Sequence, residues 1–254
     1  MCLQFASLGS GSKGNATLVR AADTLVMIDC GFSLRETVRR LELLGVSPQQ
    51  LDAILVTHEH SDHCSGVAAL SRKFSIPVYL THGTLGAGRC DNSFDVQHFT
   101  LHDSFTIGSL EIKAIAVPHD AREPCQYRFF YQGKSLGVLT DLGSITPHVV
   151  DSYRGCDALV LEFNHDQQML RDGSYPGQIK RRVGGDWGHL NNLQAATLLA
   201  QIGPAELTYL VVAHISENNN SRACAEQALR GVLPTLDDVI WADQESGFDW
   251  LLLN

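Results

Sequence analysis

The chain has 254 residues, 44% of them apolar, and a formal net charge of -9 at pH 7. This length and apolar content allow one large core, and we expect a single domain over residues 1–254. The negative charge argues against a surface coated with basic phosphate-binding residues. It does not exclude a phosphate substrate, because metal ions in a cleft would dominate the local field there.

The first residues and the cysteines indicate a compartment. The N-terminus has no basic segment followed by an apolar run, and no apolar stretch reaches the roughly 18 residues that a membrane helix needs. The chain has seven cysteines, an odd number without a C-x-x-C pair, which fits neither a disulfide framework nor a zinc ribbon. We therefore expect a cytoplasmic protein without a secretion signal or a membrane partner.

The first predicted elements in chain order are strands over residues 3–8, 16–20 and 24–28. The glycine-rich segment 9–14 matches the letters of the dinucleotide fingerprint G-x-G-x-x-G, but a strand rather than a helix follows it. We interpret it as a hairpin, with Lys13 and Asn15 as candidate substrate contacts at its rim. Ser33 should then cap an amphipathic helix that ends at Gly45.

The most informative stretch follows a short apolar strand over residues 52–56. Alternate residues of an extended chain point to the same side, so His58 and His60 can converge on one ion. Ser61 is a plausible N-cap that places Asp62 and His63 in the first turn of a helix, facing the same cavity. A polar surface turn is the alternative, but three histidines and one aspartate within six residues favour a metal site. Imidazole with carboxylate suits zinc, and the carboxylate widens the choice to iron or manganese.

The remaining elements follow the same α/β pattern. Helices are predicted over 65–74, 176–183, 191–202 and 222–232. Strands are predicted over 77–80, 105–107, 110–117, 127–131, 135–140, 158–162, 207–213, 239–241 and 248–252, with a turn-rich stretch before residue 103. Runs of strands with helices between them fit two sheets packed face to face with helices outside, although the pattern alone does not choose among α/β layouts.

Three of these strands end in further candidate ligands, namely His119, Asp141 and His214. Strand ends at one edge of a sheet are where a fold gathers functional groups. Taken singly, each has a simpler interpretation as a strand-end histidine or a turn-forming aspartate. Together with the first cluster they supply enough ligands for two ions.

The H-x-H-x-D-H motif with these strand ends resembles the metallo-β-lactamase superfamily. The resemblance implies a four-layer αββα sandwich with two divalent metal ions, zinc or manganese, at one edge. It also implies a ligand set in which His58, His60 and His119 hold one ion, Asp62, His63 and His214 hold the other, and Asp141 bridges them.

Segments 10–16, 140–143, 161–166, 188–192 and 214–219 narrow the match. They are similar to the YycJ/WalJ family, which is related to tRNase Z and to the cyclic phosphodiesterase of phosphonate breakdown. The resemblance implies a 5′-to-3′ DNA exonuclease, in a DNA repair setting, that attacks phosphorus with a metal-bridging hydroxide. It also implies catalytic roles for Asp62, for His189 as the acid at the scissile phosphate and for Glu162 as its orienting partner. Phe163 departs from the smaller polar residue expected there.

Other functions remain to be weighed against DNA cleavage. An RNA or small cyclic-phosphate phosphodiesterase would use the same site. A thioester or lactam hydrolase of the same fold is disfavoured, because a secreted lactamase needs an export signal and neither class should carry Glu162 with His189. A binding module without activity is disfavoured because the ligand set is complete.

A basic run, Lys180, Arg181 and Arg182, lies between Glu162 and His189. It is the densest run of positive charge in an acidic chain, and we expect it to contact the nucleic acid substrate. A solvated helix face is the alternative. The sequence does not indicate an oligomeric state.

Overall fold

The structure, a computed structural model, describes residues 2–101 and 103–254. Strands alternate with helices along the chain, as predicted. The strands in chain order are β1 (Leu3–Gly9), β2 (Ala16–Ala21), β3 (Thr24–Ile28), β4 (Ala53–Leu55), β5 (Pro77–Thr81), β6 (Asp95–Phe99), β7 (Ser104–Ile107), β8 (Leu110–Ala116), β9 (Cys125–Tyr131), β10 (Lys134–Leu139), β11 (Ala158–Glu162), β12 (Tyr209–Ala213), β13 (Val239–Trp241) and β14 (Phe248–Leu253). The helices are α1 (Leu34–Leu43), α2 (Ser61–Cys64), α3 (Val67–Phe74), α4 (His82–Leu85), α5 (Pro147–Tyr153), α6 (Gln167–Asp172), α7 (Gly177–Val183), α8 (Asn192–Ile202) and α9 (Arg222–Leu229).

Within the described residues the strands form two mixed sheets. Their spatial orders are β14-β1-β2-β3-β4-β5-β6 and β13-β12-β11-β10-β9-β8-β7. In the second sheet β10, β11 and β12 are parallel, and β8 runs in their direction because β9 is antiparallel to both β8 and β10. The carboxyl ends of these four strands therefore meet at one edge, where open α/β sheets place their ligands.

Side-chain alternation along the strands builds three apolar layers. On β11, Ala158 and Val160 face the first sheet, whereas Leu159 and Leu161 face the outer helices α5, α8 and α9. On β4, Ile54 points to the opposite outer layer, which packs against α1 and α3. Helices thus cover both outer faces of two packed sheets, and the predicted αββα sandwich is confirmed.

The glycine-rich segment is a hairpin turn, as predicted. β1 and β2 pair antiparallel on either side of residues 10–15. Among the described residues, no helix combines the length and the apolar character needed to cross a bilayer.

Several local predictions are wrong. The stretch before residue 103 contains α4 and the strand β6, whose largely exposed residues lack apolar alternation. The short helices α5 and α6 were not predicted either. The N-cap of α2 is His60 rather than Ser61, because the His60 carbonyl already accepts hydrogen bonds from the backbone N–H groups of His63 and Cys64. The helix that follows begins at Val67, since the Gly66 N–H donates to the carbonyl of Cys30 instead of extending α2.

Candidate metal centre

Five candidate side chains lie at strand ends, four of them in the second sheet and one, His58, in the first. His58 follows β4, His119 follows β8, Asp141 follows β10, Glu162 ends β11 and His214 follows β12. All five are nearly inaccessible to solvent. The sequence thus concentrates buried polar groups where the strands end and the loops begin.

The first group consists of His58, His60 and His119. The Nε2 atoms of His58 and His119 lie 3.0 and 3.2 Å from Nδ1 of His60. Three ring nitrogens that face each other at this spacing suit a shared ion. The structure therefore brings together the first predicted triad.

The second group consists of Asp62, His63 and His214. His63 Nε2 lies 3.4 Å from Asp62 Oδ2, and His214 Nε2 lies 3.7 Å from the same oxygen. Asp141 sits between the groups, with Oδ2 at 3.2 Å from His63 Nε2 and Oδ1 at 3.8 Å from His119 Nε2. The structure therefore also brings together the second predicted triad, with Asp141 between the two groups.

The chain itself fixes which nitrogen most of these histidines present. A ring whose Nδ1–H is donated to the protein leaves Nε2 as the free ligand atom. The acceptors of Nδ1 are Asp29 Oδ2 for His63 (2.7 Å), the Thr140 carbonyl for His214 (2.8 Å) and the Gly188 carbonyl for His119 (2.9 Å), and Thr57 Oγ1 lies 2.9 Å from Nδ1 of His58.

The residues present fit divalent ions. Oδ2 of Asp141 and Nε2 of His214 are buried without a hydrogen-bond partner. An unsatisfied buried acceptor is costly, about 1 to 3 kcal/mol, and each of these two atoms belongs to a residue of a candidate ligand group, so both indicate a bound partner. Imidazole nitrogen and carboxylate oxygen together suit zinc or manganese.

The electrostatics also favour added positive charge. Burial lowers the pKa of His58. Burial acts the same way on His63 and His214, but the carboxylates of Asp141 and Asp62 outweigh it. The pKa of His63 is raised, and that of His214 rises to about 10. Without ions, protons would have to offset these buried carboxylates.

A histidine and a glutamate stand beside the two triads. His189 Nδ1 lies 3.1 Å from Glu162 Oε2, and the other carboxylate oxygen accepts from the backbone N–H groups of Leu142 and Leu190 at 2.6 and 3.4 Å. Glu162 is fully buried and the His189 side chain is 19% exposed. Asn191, not His189, caps α8. Glu162 therefore ties the loop after Asp141 to the loop that carries His189.

Asp29 is a site residue that sequence reasoning missed. Its carboxylate accepts from the backbone N–H and hydroxyl of Thr57, both at 2.8 Å, besides its contact with His63. Asp29 has a φ of 60°, a left-handed conformation that aspartate tolerates better than most residues. Its place at the end of a buried strand was the available signal.

The triads open into a cavity of about 290 Å³ whose rim adds Ser12, Arg89 and Arg182. Arg182 Nε donates to the carboxylate of Asp120, and its NH2 lies 3.4 Å from Nε2 of His60. Arg89 and Ser12 were not predicted. Of the predicted basic run, only Arg182 lines this cavity.

The other predicted substrate contacts lie elsewhere. Lys180 Nζ donates to the carbonyl of Arg171, and Arg181 is exposed on α7. Lys13 pairs with Glu217 at 2.8 Å on the surface.

The rim position predicted for Asn15 is wrong. Asn15 is 5% exposed, because its side chain closes the glycine-rich turn through Gly11. Its Nδ2 also lies 3.2 Å from Nε2 of His63. Asn15 therefore lies behind the site rather than at its mouth.

The chain is similar to known proteins over most of its length. The Beta-lactamase superfamily domain model matches residues 24–215. The chain is 35% identical over 240 residues to the exodeoxyribonuclease YycJ of Bacillus anthracis, covering 92% of this chain and 90% of that protein. It is 32% identical over 241 residues to the exodeoxyribonuclease WalJ of Streptococcus pneumoniae, covering 92% and 89%.

A solved structure shows the same fold. The metallo-β-lactamase fold protein YhfI of Bacillus subtilis superposes with a TM-score of 0.77 at 16% identity, with 100% of both chains covered. The likeness in sequence and in fold leads to one conclusion. The chain belongs to the metallo-β-lactamase superfamily and, within it, to the family of the YycJ and WalJ proteins.

Proposed function

We propose that the protein is a metal-dependent phosphodiesterase that degrades DNA from a 5′ end. The observation that carries this proposal is the contact between His189 Nδ1 and the buried Glu162, directly beside both candidate ligand groups. A phosphodiester has a poor leaving group that needs a proton, and this pair can provide one. The names of the two related exodeoxyribonucleases favour DNA as the substrate.

We assign the ligands as the resemblance to the superfamily implies. His58, His60 and His119 would hold one ion, Asp62, His63 and His214 would hold the other, and Asp141 would contact both. The support is the convergence of these atoms within 4.8 Å in each triad and the unpartnered acceptors on Asp141 and His214. Zinc or manganese ions held there would polarise the phosphoryl group and make water more acidic.

His189 acts on the leaving oxygen in this proposal. Its Nδ1–H donates to Glu162, so Nε2 is the atom that can carry a proton toward the cavity. The buried carboxylate fixes the tautomer and holds the ring in one orientation. After Nε2 gives its proton to the departing sugar oxygen, Glu162 still fixes the neutral ring for the next cycle.

The rim would hold the flanking phosphates. Arg89 and Arg182 come from distant segments of the chain and line the same cavity. Guanidinium groups match phosphate oxygens with two parallel hydrogen bonds. Arg182 would exchange its present partner, Asp120, for a phosphate oxygen or share it.

The cellular setting follows from the cysteines. All seven are free thiols, and five of them are buried. Free thiols in this number suit a reducing compartment, so we place the protein in the cytoplasm.

The pairing of β14 with β1 supports the proposal of one domain, because the two ends of the chain lie in one sheet.

A single panel of substrates tests the function. Purified protein is assayed with zinc and with manganese on 5′-labelled and 3′-labelled single-stranded and duplex DNA, on RNA of the same sequence, and on bis-p-nitrophenyl phosphate. Early release of labelled mononucleotides from the 5′-labelled DNA, before any from the 3′-labelled DNA, supports the proposal. RNA cleavage without DNA cleavage, or turnover of the aryl diester alone, overturns the assignment to DNA while keeping phosphodiester chemistry.

A further inference from the structure

A tryptophan stands at the surface beside the candidate site. Trp187 is 64% exposed, although indole is among the largest apolar side chains in the chain. It lies in the segment 184–188 that joins α7 to His189. Burial of a tryptophan normally stabilises a fold, so an indole left in solvent at this place has no role in the core.

The backbone around Trp187 is tightly held. Gly188 N–H donates to the Gly185 carbonyl and His189 N–H to the Val183 carbonyl, both at 2.8 Å. A Cβ on Gly188 would collide with the carbonyl oxygen of Arg182, so only glycine allows this close approach. The exposed ring therefore extends from a fixed base rather than from a loose loop.

The same base packs against the loop after Asp141. A Cβ on Gly143 would lie 2.6 Å from the carbonyl carbon of Trp187. On the other side, the Gly188 carbonyl accepts from Nδ1 of His119. The position of Trp187 is thus linked on both sides to residues that we assign to the metal centre.

The surroundings identify the kind of ligand. Arg182, Val183, Gly188 and His189 line the cavity, and Trp187 directly precedes the last two of them. A DNA strand with a phosphate in the cavity must pass the rim, and the bases on either side of that phosphate have open π-faces if the strand is single. Exposed indole stacks on such bases without regard to sequence.

We propose that Trp187 is a stacking platform for a nucleobase of single-stranded DNA next to the scissile phosphate. This inference rests on the proposed function and adds that the enzyme holds an unpaired strand through its base as well as its phosphates. Arg182 and Arg89, which line the cavity, favour a nucleic acid over an apolar protein surface as the occupant, since a polyanion complements them.

Substitutions at Trp187 test the platform in the full-length protein. Trp187→Ala should weaken binding of an oligothymidylate about 5- to 150-fold, the range expected for the loss of one base stack. Trp187→Phe should restore most of the affinity, whereas Trp187→Leu, which is apolar but has no π-face, should not. Leu193→Ala is the matched control, because Leu193 is 65% exposed nearby on α8 and has no assigned role.

The ligand provides a second test. A series of oligonucleotides with a phosphorothioate backbone, chosen to resist cleavage, carries one abasic residue at successive positions. The affinity of the metal-loaded protein for each oligonucleotide is then measured. The wild type should lose affinity when the abasic residue reaches one or two positions, and Trp187→Ala should show no further loss there. Affinity that is equal for wild type and Trp187→Ala, or full restoration by Trp187→Leu, would overturn the inference.

Two outcomes separate this inference from the proposed function. If the wild type cleaves DNA and binds it independently of residue 187, only the platform is wrong. If the wild type cleaves no DNA, the proposed function fails first. Loss of a dimer in Trp187→Ala, seen by light scattering without a change in DNA affinity, would assign the exposed ring to a second copy of the chain and so overturn the platform.

Discussion

Asp29→Asn should impair the metal centre without disturbing the fold. The two carboxylate oxygens of Asp29 accept three hydrogen bonds, two from Thr57 and one from His63. Asparagine has the same shape and tolerates the left-handed backbone at this position. It offers only one acceptor oxygen, so one of the two sites must face an NH2 group instead.

The donors at the two carboxylate oxygens decide which position takes the NH2 group. If the amide oxygen faces His63, the NH2 group meets the backbone N–H of Thr57, which is a fixed donor. That costs about 1 to 3 kcal/mol for a buried unsatisfied group. If the amide oxygen instead accepts from the backbone N–H of Thr57, the NH2 group faces Nδ1 of His63. His63 must then lose its Nδ1 proton and carry it on Nε2. Imidazole can make this exchange and a peptide group cannot, so we expect the second arrangement.

A proton on Nε2 of His63 blocks the nitrogen that faces the second triad. Loss of such an orienting partner typically lowers metal affinity about 10- to 100-fold, or about 1.4 to 2.7 kcal/mol. This range agrees with the cost of an unsatisfied buried group. Zinc titration of the metal-free protein against a competing chelator measures the loss, and ¹⁵N NMR of the imidazole reports the tautomer.

The matched control is Asp52→Asn. Asp52 also accepts from a backbone N–H, that of Leu25 at 2.8 Å, but it lies at the opposite end of β4 from the metal centre. The control should bind both ions as the wild type does. Native affinity for both ions in Asp29→Asn, or an unchanged Nδ1–H tautomer, would refute the reasoning.

Four further changes have definite expected outcomes. Asp141→Ala should lower the metal content below two ions per chain, measured by plasma emission spectrometry, and abolish nuclease activity; two ions with near-native turnover would contradict its bridging position. His189→Ala should keep the metals yet lose about 10² to 10⁴ in turnover on DNA, with a smaller loss on aryl phosphates, and loss of the metals would contradict a role in proton transfer. Replacement of residues 180–182 by alanine should flatten the salt dependence of DNA binding by about one unit of slope for each phosphate that the variant no longer binds, and an unchanged slope would leave them as a solvated helix face. Hydrogen bonds from Arg39 and Arg40 lower the pKa of Glu36 from 4.5 to about 2. The contribution of Glu36 to the free energy of unfolding is therefore present above pH 4.5 and is lost as the pH falls toward 2. In urea unfolding, Glu36→Gln should flatten this acid dependence, and an unchanged dependence would contradict it.

The convergence of the candidate metal ligands could be predicted, because each stands at a strand end or in one short motif. His58, His60, Asp62 and His63 are close in sequence, and their geometry follows from local extended and helical backbone. The remaining ligands follow strands whose directions agree, so one sheet edge gathers them. Sequence pattern with the resemblance to the superfamily therefore defined this part of the site.

Residues that act through tertiary contacts could not be predicted in the same way. Asp29 meets His63 only because β3 and β4 are neighbours in one sheet. Arg89 lies after α4, in a stretch whose elements were not predicted at all. Asn15 was misplaced for the same reason, since its letters indicate a polar turn but its amide is directed inward at His63. Position along the chain does not reveal which face of a turn is covered.

The charges of the site explain how an acidic chain can hold a polyanion. Two divalent ions would be balanced by four buried or partly buried carboxylates within the centre, those of Asp29, Asp62, Asp141 and Glu162. Two such ions would therefore neutralise the chain's own groups and leave little net charge for the substrate. The positive charge that a phosphate meets must come from the rim, from Arg89 and Arg182. Arg182 is partly neutralised by Asp120, so electrostatic attraction alone is weak here. Contacts to the bases, such as stacking on Trp187, then contribute affinity that the phosphates cannot supply.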